Sequence, residues 1–270
     1  MAYETVLFDT TPPIATVTLN RPASGNALDD RTLEEIEAAM QVLEADLDVK
    51  VVILRGAGEH FSVGSVPEEL EHSRIFPFLR REPLSAPELV EAGKAWDRRW
   101  QYLANFHKPT IAQIHGDCLG FGLYLAMVCD LAIAADDARF GEPMIRLGGL
   151  TGFPLWTWFI GTKWTRELLY FGSTFDGREA EAMRMITRAV PGAQLEMEVQ
   201  RYAEAIASAP GDGMTLLKES VNGTLEMRGL GESWRFLGDM LALHALGTKG
   251  SDSLAERKQA RDAAMAQLGF

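Results

Sequence analysis

Cysteine is scarce in this chain, with only Cys118 and Cys129 present. Both lie inside apolar segments, so there is no material for a disulfide framework and too little sulfur for a four-ligand zinc site. They read as reduced core residues. No uninterrupted apolar run reaches the ~18 residues a membrane-spanning helix needs. The opening MAYETVLFDTTPP lacks the basic and apolar regions of a secretion signal, so a cytoplasmic location and no membrane partner are expected. Positive charge is also in deficit: 26 Lys and Arg against 38 Asp and Glu give a net charge of −12, with the cations scattered rather than gathered into runs. That excludes a broad phosphate-backbone partner and hence nucleic acid. Internal repeats and low-complexity tracts are missing. No His/Cys/Asp cluster has metal spacing, and no Ser-His-Asp order can be defended, so neither a metal site nor a serine triad is expected.

What is present suits a globular α/β enzyme. The 270 residues, 47% apolar and 24% charged, can bury one large core. The stretch from Lys108 to Gly149 organises the chain: a buried strand (Thr110 to Ile114), a glycine-punctuated turn (Gly116, Gly120, Gly122), a helix (Leu123 to Val128) and a second strand (Leu131 to Ala135). Continuous apolar runs in both strands predict a sheet covered on both faces. Open α/β folds place ligands at such a turn.

Earlier in the chain, Thr5 to Phe8 and Ile14 to Leu19 predict a hairpin. Asp29 or Asp30 caps a helix whose apolar positions Leu33, Ile36, Met40 and Leu43 have helical spacing, ending near Asp46. Val51 to Leu54 is a buried strand leading into a second glycine turn, Gly56 to Ser65. Pro77, Pro83 and Pro87 predict a loop, mobile beside a site or plain surface, before a helix carrying Leu89, Ala92, Trp96, Trp100 and Leu103. Past Gly149 come an aromatic cluster (Trp156, Trp158, Phe159, Trp164), a helix from Asp176 to Met183 and a strand from Ile186 to Val190. Helices follow at Tyr202 to Ala209, Met214 to Asn222, Trp234 to Leu246 and Ala255 to Leu268.

Six landmarks in this order and spacing resemble the crotonase superfamily, also called the enoyl-CoA hydratase/isomerase family. They are NRPASGNAL (Asn20 to Leu28), HFSVGSVPEEL (His60 to Leu70), the run from KPTIAQIHG to CDLAIA, FGEPMIRLG (Phe140 to Gly148), LLYFGSTFDGREA (Leu168 to Ala180) and LLKESVN (Leu216 to Asn222). The resemblance covers nearly the whole chain. It implies an α/β fold, a ClpP/crotonase-like spiral of ββα units, with residues 1–194 forming the core that carries the CoA and acyl site and residues 195–270 a helical trimerisation or lid region. It further implies a homotrimer or a dimer of trimers, an acyl-CoA substrate, and coenzyme A only as part of that thioester, with no permanently bound cofactor.

By motif position, the backbone N–H groups of Ser65 and Phe121 would form the oxyanion hole that stabilises a thioester enolate. The two glutamates that hydratases of the family use fall on Tyr124 and Met144, so both carboxylates are vacated. Methionine moves no proton. Glu142 and His244 are the candidate acid–base replacements. Tyr124 would serve as a hydrogen-bond donor more readily than as a base. The bland alternatives are a helix or turn cap for Asp117, a structural role for His115, a salt-bridge role for Arg146 on a strand after Met144, and solvent exposure for Glu68 and Glu69. Ala23, Ser24, Ala27, Val63, Gly64 and Ser65 would line the coenzyme A channel, with Lys258 and Arg261 either reaching phosphates or lying on a solvated helix face. Trp96, Trp100 and the cluster from Trp156 to Phe159 hint at a bulky apolar pocket. The expected function is an acyl-CoA enzyme working through an enolate with non-standard acid–base residues. A non-catalytic acyl-CoA-binding protein and a CoA-independent β-diketone C–C hydrolase remain open as alternatives.

Overall fold

Branched apolar residues at the predicted strand positions assemble one main sheet. The computed structural model describes residues 3–66, 73, 84–147, 150, 153–210, 213–247 and 259. Its six-stranded sheet has the order β1 (Val6–Asp9), β2 (Ile14–Leu19), β3 (Val51–Gly56), β4 (Thr110–Ile114), β6 (Leu131–Ala135) and β9 (Arg188–Val190). The β1–β2 pair is an antiparallel hairpin, and every later pairing is parallel. Parallel neighbours require crossovers, and helices supply them. Strand β3 is buried from Val51 to Leu54, as the unbroken apolar run predicts. A second sheet of three short strands, β5 (Asp117–Leu119), β7 (Arg139–Gly141) and β8 (Thr174–Asp176), has no counterpart in the expected elements.

The helices are α1 (Asp30–Ala45), α2 (Ala86–Ala104), α3 (Phe121–Val128), α4 (Leu155–Phe171), α5 (Gly177–Ala182), α6 (Leu195–Ala207), α7 (Gly213–Met227) and α8 (Leu230–Gly247). Asp29 caps α1 by accepting the Thr32 N–H at 2.7 Å, and Leu33, Ile36, Met40 and Leu43 form its buried stripe. Pro87 sits in the first turn of α2, where a missing N–H costs nothing, rather than breaking the chain ahead of it. Helix α6 lies across β2, β3, β4 and β6. Helix α7 is pinned to the core by Lys218, which is 7% exposed and donates to Asp130 at 2.8 Å and to the Lys108 carbonyl at 3.1 Å. The same Asp130 oxygen accepts the N–H and hydroxyl of Thr110 at the start of β4.

Several boundaries differ from expectation. Strand β9 is three residues long, starting at Arg188 rather than Ile186, because Ile186 and Met185 turn inward ahead of it. Arg146 lies on a short 3-10 helix (Pro143–Leu147) and not on a strand. The C-terminal helix expected over 255–268 falls outside the described residues, Gln259 excepted. Among the described residues, no helix is long and apolar enough to cross a membrane.

Candidate functional site

Two glycine turns meet at the N-terminal end of α3. The first, following β3, runs beside β5: Phe61 N–H donates to His115 O, Ser62 N–H to Asp117 O, and Leu119 N–H to Ser62 O. Fully buried Ser62 ties this turn together, donating its hydroxyl to Asn26 O at 2.7 Å and accepting the Gly64 N–H at 3.1 Å. A Cβ on Gly122 would stand 2.6 Å from that of Ser62, so the turn rests directly on α3. Gly64 has φ of 91°, and a Cβ there would lie 2.6 Å from Leu119 O and 3.4 Å from the Gly120 Cα. The two turns therefore touch backbone to backbone, bringing together the amides of the following residues, Ser65 and Phe121. The left-handed φ that a phenylalanine would resist falls on Gly120, at 48°, leaving Phe121 free to begin the helix. This is also why α3 starts at Phe121 rather than at Leu123.

Register places the carboxylate. Strand β7 pairs in parallel with β5, Leu119 opposite Gly141, so Glu142 emerges beside Gly120. A Cβ on Gly120 would be 3.7 Å from Glu142 Oε1. Glu142 is 3% exposed, and its Oε2 has no hydrogen-bond partner. Burial raises its pKa to about 7, against the lowering effect of hydrogen bonds from the Tyr124 hydroxyl and the Met144 N–H. The structure thus joins three of the residues singled out by motif position. Glu142 carries the carboxyl, Tyr124 donates to it from α3, and Met144 contributes its backbone rather than its thioether.

Other candidates resolve differently. Among the described residues, Asp117 makes a two-point ion pair with Arg139 at 2.6 and 3.0 Å, because β5 and β7 put them side by side. His115 meets the Gly58 carbonyl at 2.9 Å, a structural role. Arg146 donates to the Phe171 carbonyl at 3.4 Å and has no carboxylate partner among the described residues. His244 lies half-buried in the last turn of α8. Glu68, Glu69, Lys258 and Arg261 lie outside the described residues.

Of the channel candidates, Ala23 is exposed and Ser24 and Val63 half-buried, forming an open rim beside the first turn. Val63 N–H donates to Gly25 O and Leu28 N–H to Gly64 O, which fastens the two segments. Ala27 is wholly buried. Trp96 and Trp100 pack edge-on against Phe121, Tyr124 and Phe153 and so fill space among these rings. Trp158 leaves the cluster to donate to Ser233.

The roles of Ser62, Asn26 and Phe153 were not foreseen. Asn26 has a positive φ of 55°, and its side chain accepts the Arg21 N–H and donates to Ala57 O and His60 O. Its place in NRPASGNAL was the available signal. A cavity of about 480 Å³, lined by residues such as Phe8, Thr18, Arg55 and Gln113, meets the first turn only at its start, Gly56 and Ala57, and is not lined by Ser65, Phe121 or Glu142.

The family model for "Enoyl-CoA hydratase/isomerase" matches residues 9–259. The chain belongs to the enoyl-CoA hydratase/isomerase family of the crotonase superfamily. It is 34% identical over 239 residues to a "Probable enoyl-CoA hydratase" of Rhizobium meliloti, covering 87% of this chain and 88% of that one. It is 31% identical over 225 residues to a "Crotonyl-CoA hydratase" of Syntrophomonas wolfei, covering 82% and 83%. A solved enoyl-CoA hydratase/isomerase from Xanthobacter autotrophicus Py2 superposes with a TM-score of 0.83 at 30% identity, covering 97% of this chain and 99% of that one. The fold is that of the crotonases, a mixed α/β arrangement around a mostly parallel sheet.

Proposed function

We propose that this family member is an enzyme that takes an acyl-CoA thioester through an enolate, with the Ser65 and Phe121 amides holding the thioester oxygen and Glu142 moving the proton. The observation that carries this reading is a buried carboxyl, held at about 7, beside the meeting point of two turns. At that value both protonation states are populated near neutrality, which is where a general acid–base group works best. In the step, ionised Glu142 takes the α-proton. The C–H pair becomes the α-carbon to carbonyl-carbon double bond, and the carbonyl π pair moves onto the oxygen facing the two amides. Reversal returns the proton to carbon. Each amide is worth about 3 kcal/mol of barrier, and the acid–base group about 10²- to 10⁴-fold in rate. Met144 carries no proton, so hydration by a pair of glutamates at positions 124 and 144 is not available to this chain.

Coenzyme A enters only as part of the substrate, its arm leaving over the rim of Ala23, Ser24 and Val63. Exposed apolar residues on α7, Leu216, Leu217 and Val221, support assembly through the C-terminal helices into a trimer or a dimer of trimers.

The test is exchange at carbon. Incubated with butyryl-CoA in deuterated water, the protein is expected to introduce deuterium at the α-carbon, read by mass spectrometry, and Glu142→Gln to abolish exchange while calorimetry still shows binding. Binding without exchange in the unaltered protein would support the non-catalytic alternative, and β-diketone cleavage without CoA binding would support the hydrolase.

A further inference from the structure

Resting on the reading above, we infer that the site accepts only short acyl groups, because a packed aromatic wall closes it immediately beyond the reacting carbons. With the thioester oxygen between the Ser65 and Phe121 amides and the α-carbon at Glu142, the substrate has two directions in which to extend. One leads to the rim of exposed Ala23 and half-buried Ser24 and Val63, which is open to solvent, and the long polar coenzyme arm takes it. The acyl end is then directed inward, along the first turn of α3.

That turn presents Phe121 and Tyr124, and behind them the rings are in mutual contact. Phe121 lies 5.2 Å from Trp96 and 5.5 Å from Tyr124. Tyr124 is stacked on Phe153 at 4.2 Å and 6°, with Trp100 edge-on at 5.9 Å. Trp234 closes the far side of Phe153 at 5.3 Å. None of the six is more than 5% exposed. They come from α2, α3, α8 and the residues leading into α4, so the wall is built from several separate parts of the fold. An added methylene is ordinarily favourable to bury. Forced into a filled core, added methylenes instead push rings off their rotamers, which is unfavourable. Past the length the site admits, packing cost therefore outweighs transfer gain.

The experiment compares the binding of butyryl-CoA and decanoyl-CoA by calorimetry, first with the unaltered protein. Decanoyl-CoA is expected to bind about tenfold more weakly. Phe153→Ala, which opens space over Tyr124, is expected to reverse that order. Trp234→Leu, a smaller change on the other side of the wall, should move it the same way, and thermal unfolding establishes that each variant is folded. Decanoyl-CoA binding as tightly as butyryl-CoA, or more tightly, in the unaltered protein overturns the inference even if both variants fail to fold. So does an unchanged order in a folded variant. Tight butyryl-CoA binding without α-deuterium exchange counts against the enzymatic reading alone. Failure of both thioesters to bind overturns both.

Discussion

Burying an unpaired carboxylate is costly, and Glu142→Gln turns that cost into a stability measurement that requires no substrate. Glu142 is 3% exposed, has one oxygen without a partner, and titrates at about 7 against an ordinary value of 4.5. The folded state therefore holds this proton more tightly than the unfolded state does. The stability it contributes is complete below about 4.5, declines as pH rises toward 7, and levels off above. The difference, 7 − 4.5, is 2.5 pH units, and at 1.36 kcal/mol per unit this is about 3 kcal/mol in full. Between pH 5 and pH 8 some of that span is already spent, so the expected loss is about 2–3 kcal/mol. Glutamine has the same shape and no titration. Urea unfolding followed by tryptophan fluorescence at both pH values should show the unaltered protein losing that much more stability than the variant. Taking the difference between the two proteins cancels every group they share, including Glu35, whose carboxyl is lowered to about 2, and Asp97, raised to about 6. Parallel stability curves would refute the reasoning, since they would mean that the Glu142 charge is solvated or paired after all.

Tyr124→Phe keeps the ring on Phe153 and removes one donor to the carboxylate, so the pH midpoint of α-proton exchange should rise from about 7 by roughly one unit. A midpoint that stays or falls removes Tyr124 from the acid–base machinery. Ser62→Ala deletes the bonds to Asn26 O and Gly64 N–H, and it should slow exchange about tenfold through misplacement of the two amides. Free coenzyme A affinity, measured alongside, should hardly move, and equal losses in both would mark a general structural defect. Lys218→Met strands Asp130 and should cost about 3 kcal/mol in urea unfolding, with Asp130→Asn on top of it recovering part of the loss. A double variant no more stable than the single one would show that the pair does not hold α7 to the core.

Where burial follows local periodicity, the sequence was readable. The stripe Leu33, Ile36, Met40, Leu43 and the runs in β3, β4 and β6 give α1 and most of the main sheet, because each segment is long enough to show its period. The short sheet of β5, β7 and β8 was not readable, since three-residue strands carry no period and form only through mutual pairing. That pairing positions Glu142. In the sequence Glu142 is merely a carboxylate two residues before a vacated position, and its burial, its unpaired oxygen and its contact with Tyr124 all depend on the register of β7 against β5. The aromatic residues were equally ambiguous. Their number suggested a pocket, while their mutual packing, edge-on and stacked, which fills the space, arises from four distant segments.

The contact between Gly64 and Gly120 also has a kinetic consequence. These residues belong to turns separated in sequence by the whole of α2 and β4, so the meeting of the two amides is a non-local event whose loop-closure cost falls before any reward from packing. A chain that has already formed α1, α3 and its hairpin still lacks a site until that closure occurs. During refolding, helical signal should therefore return ahead of α-proton exchange, and the interval between them is the time the protein spends ordered but inert.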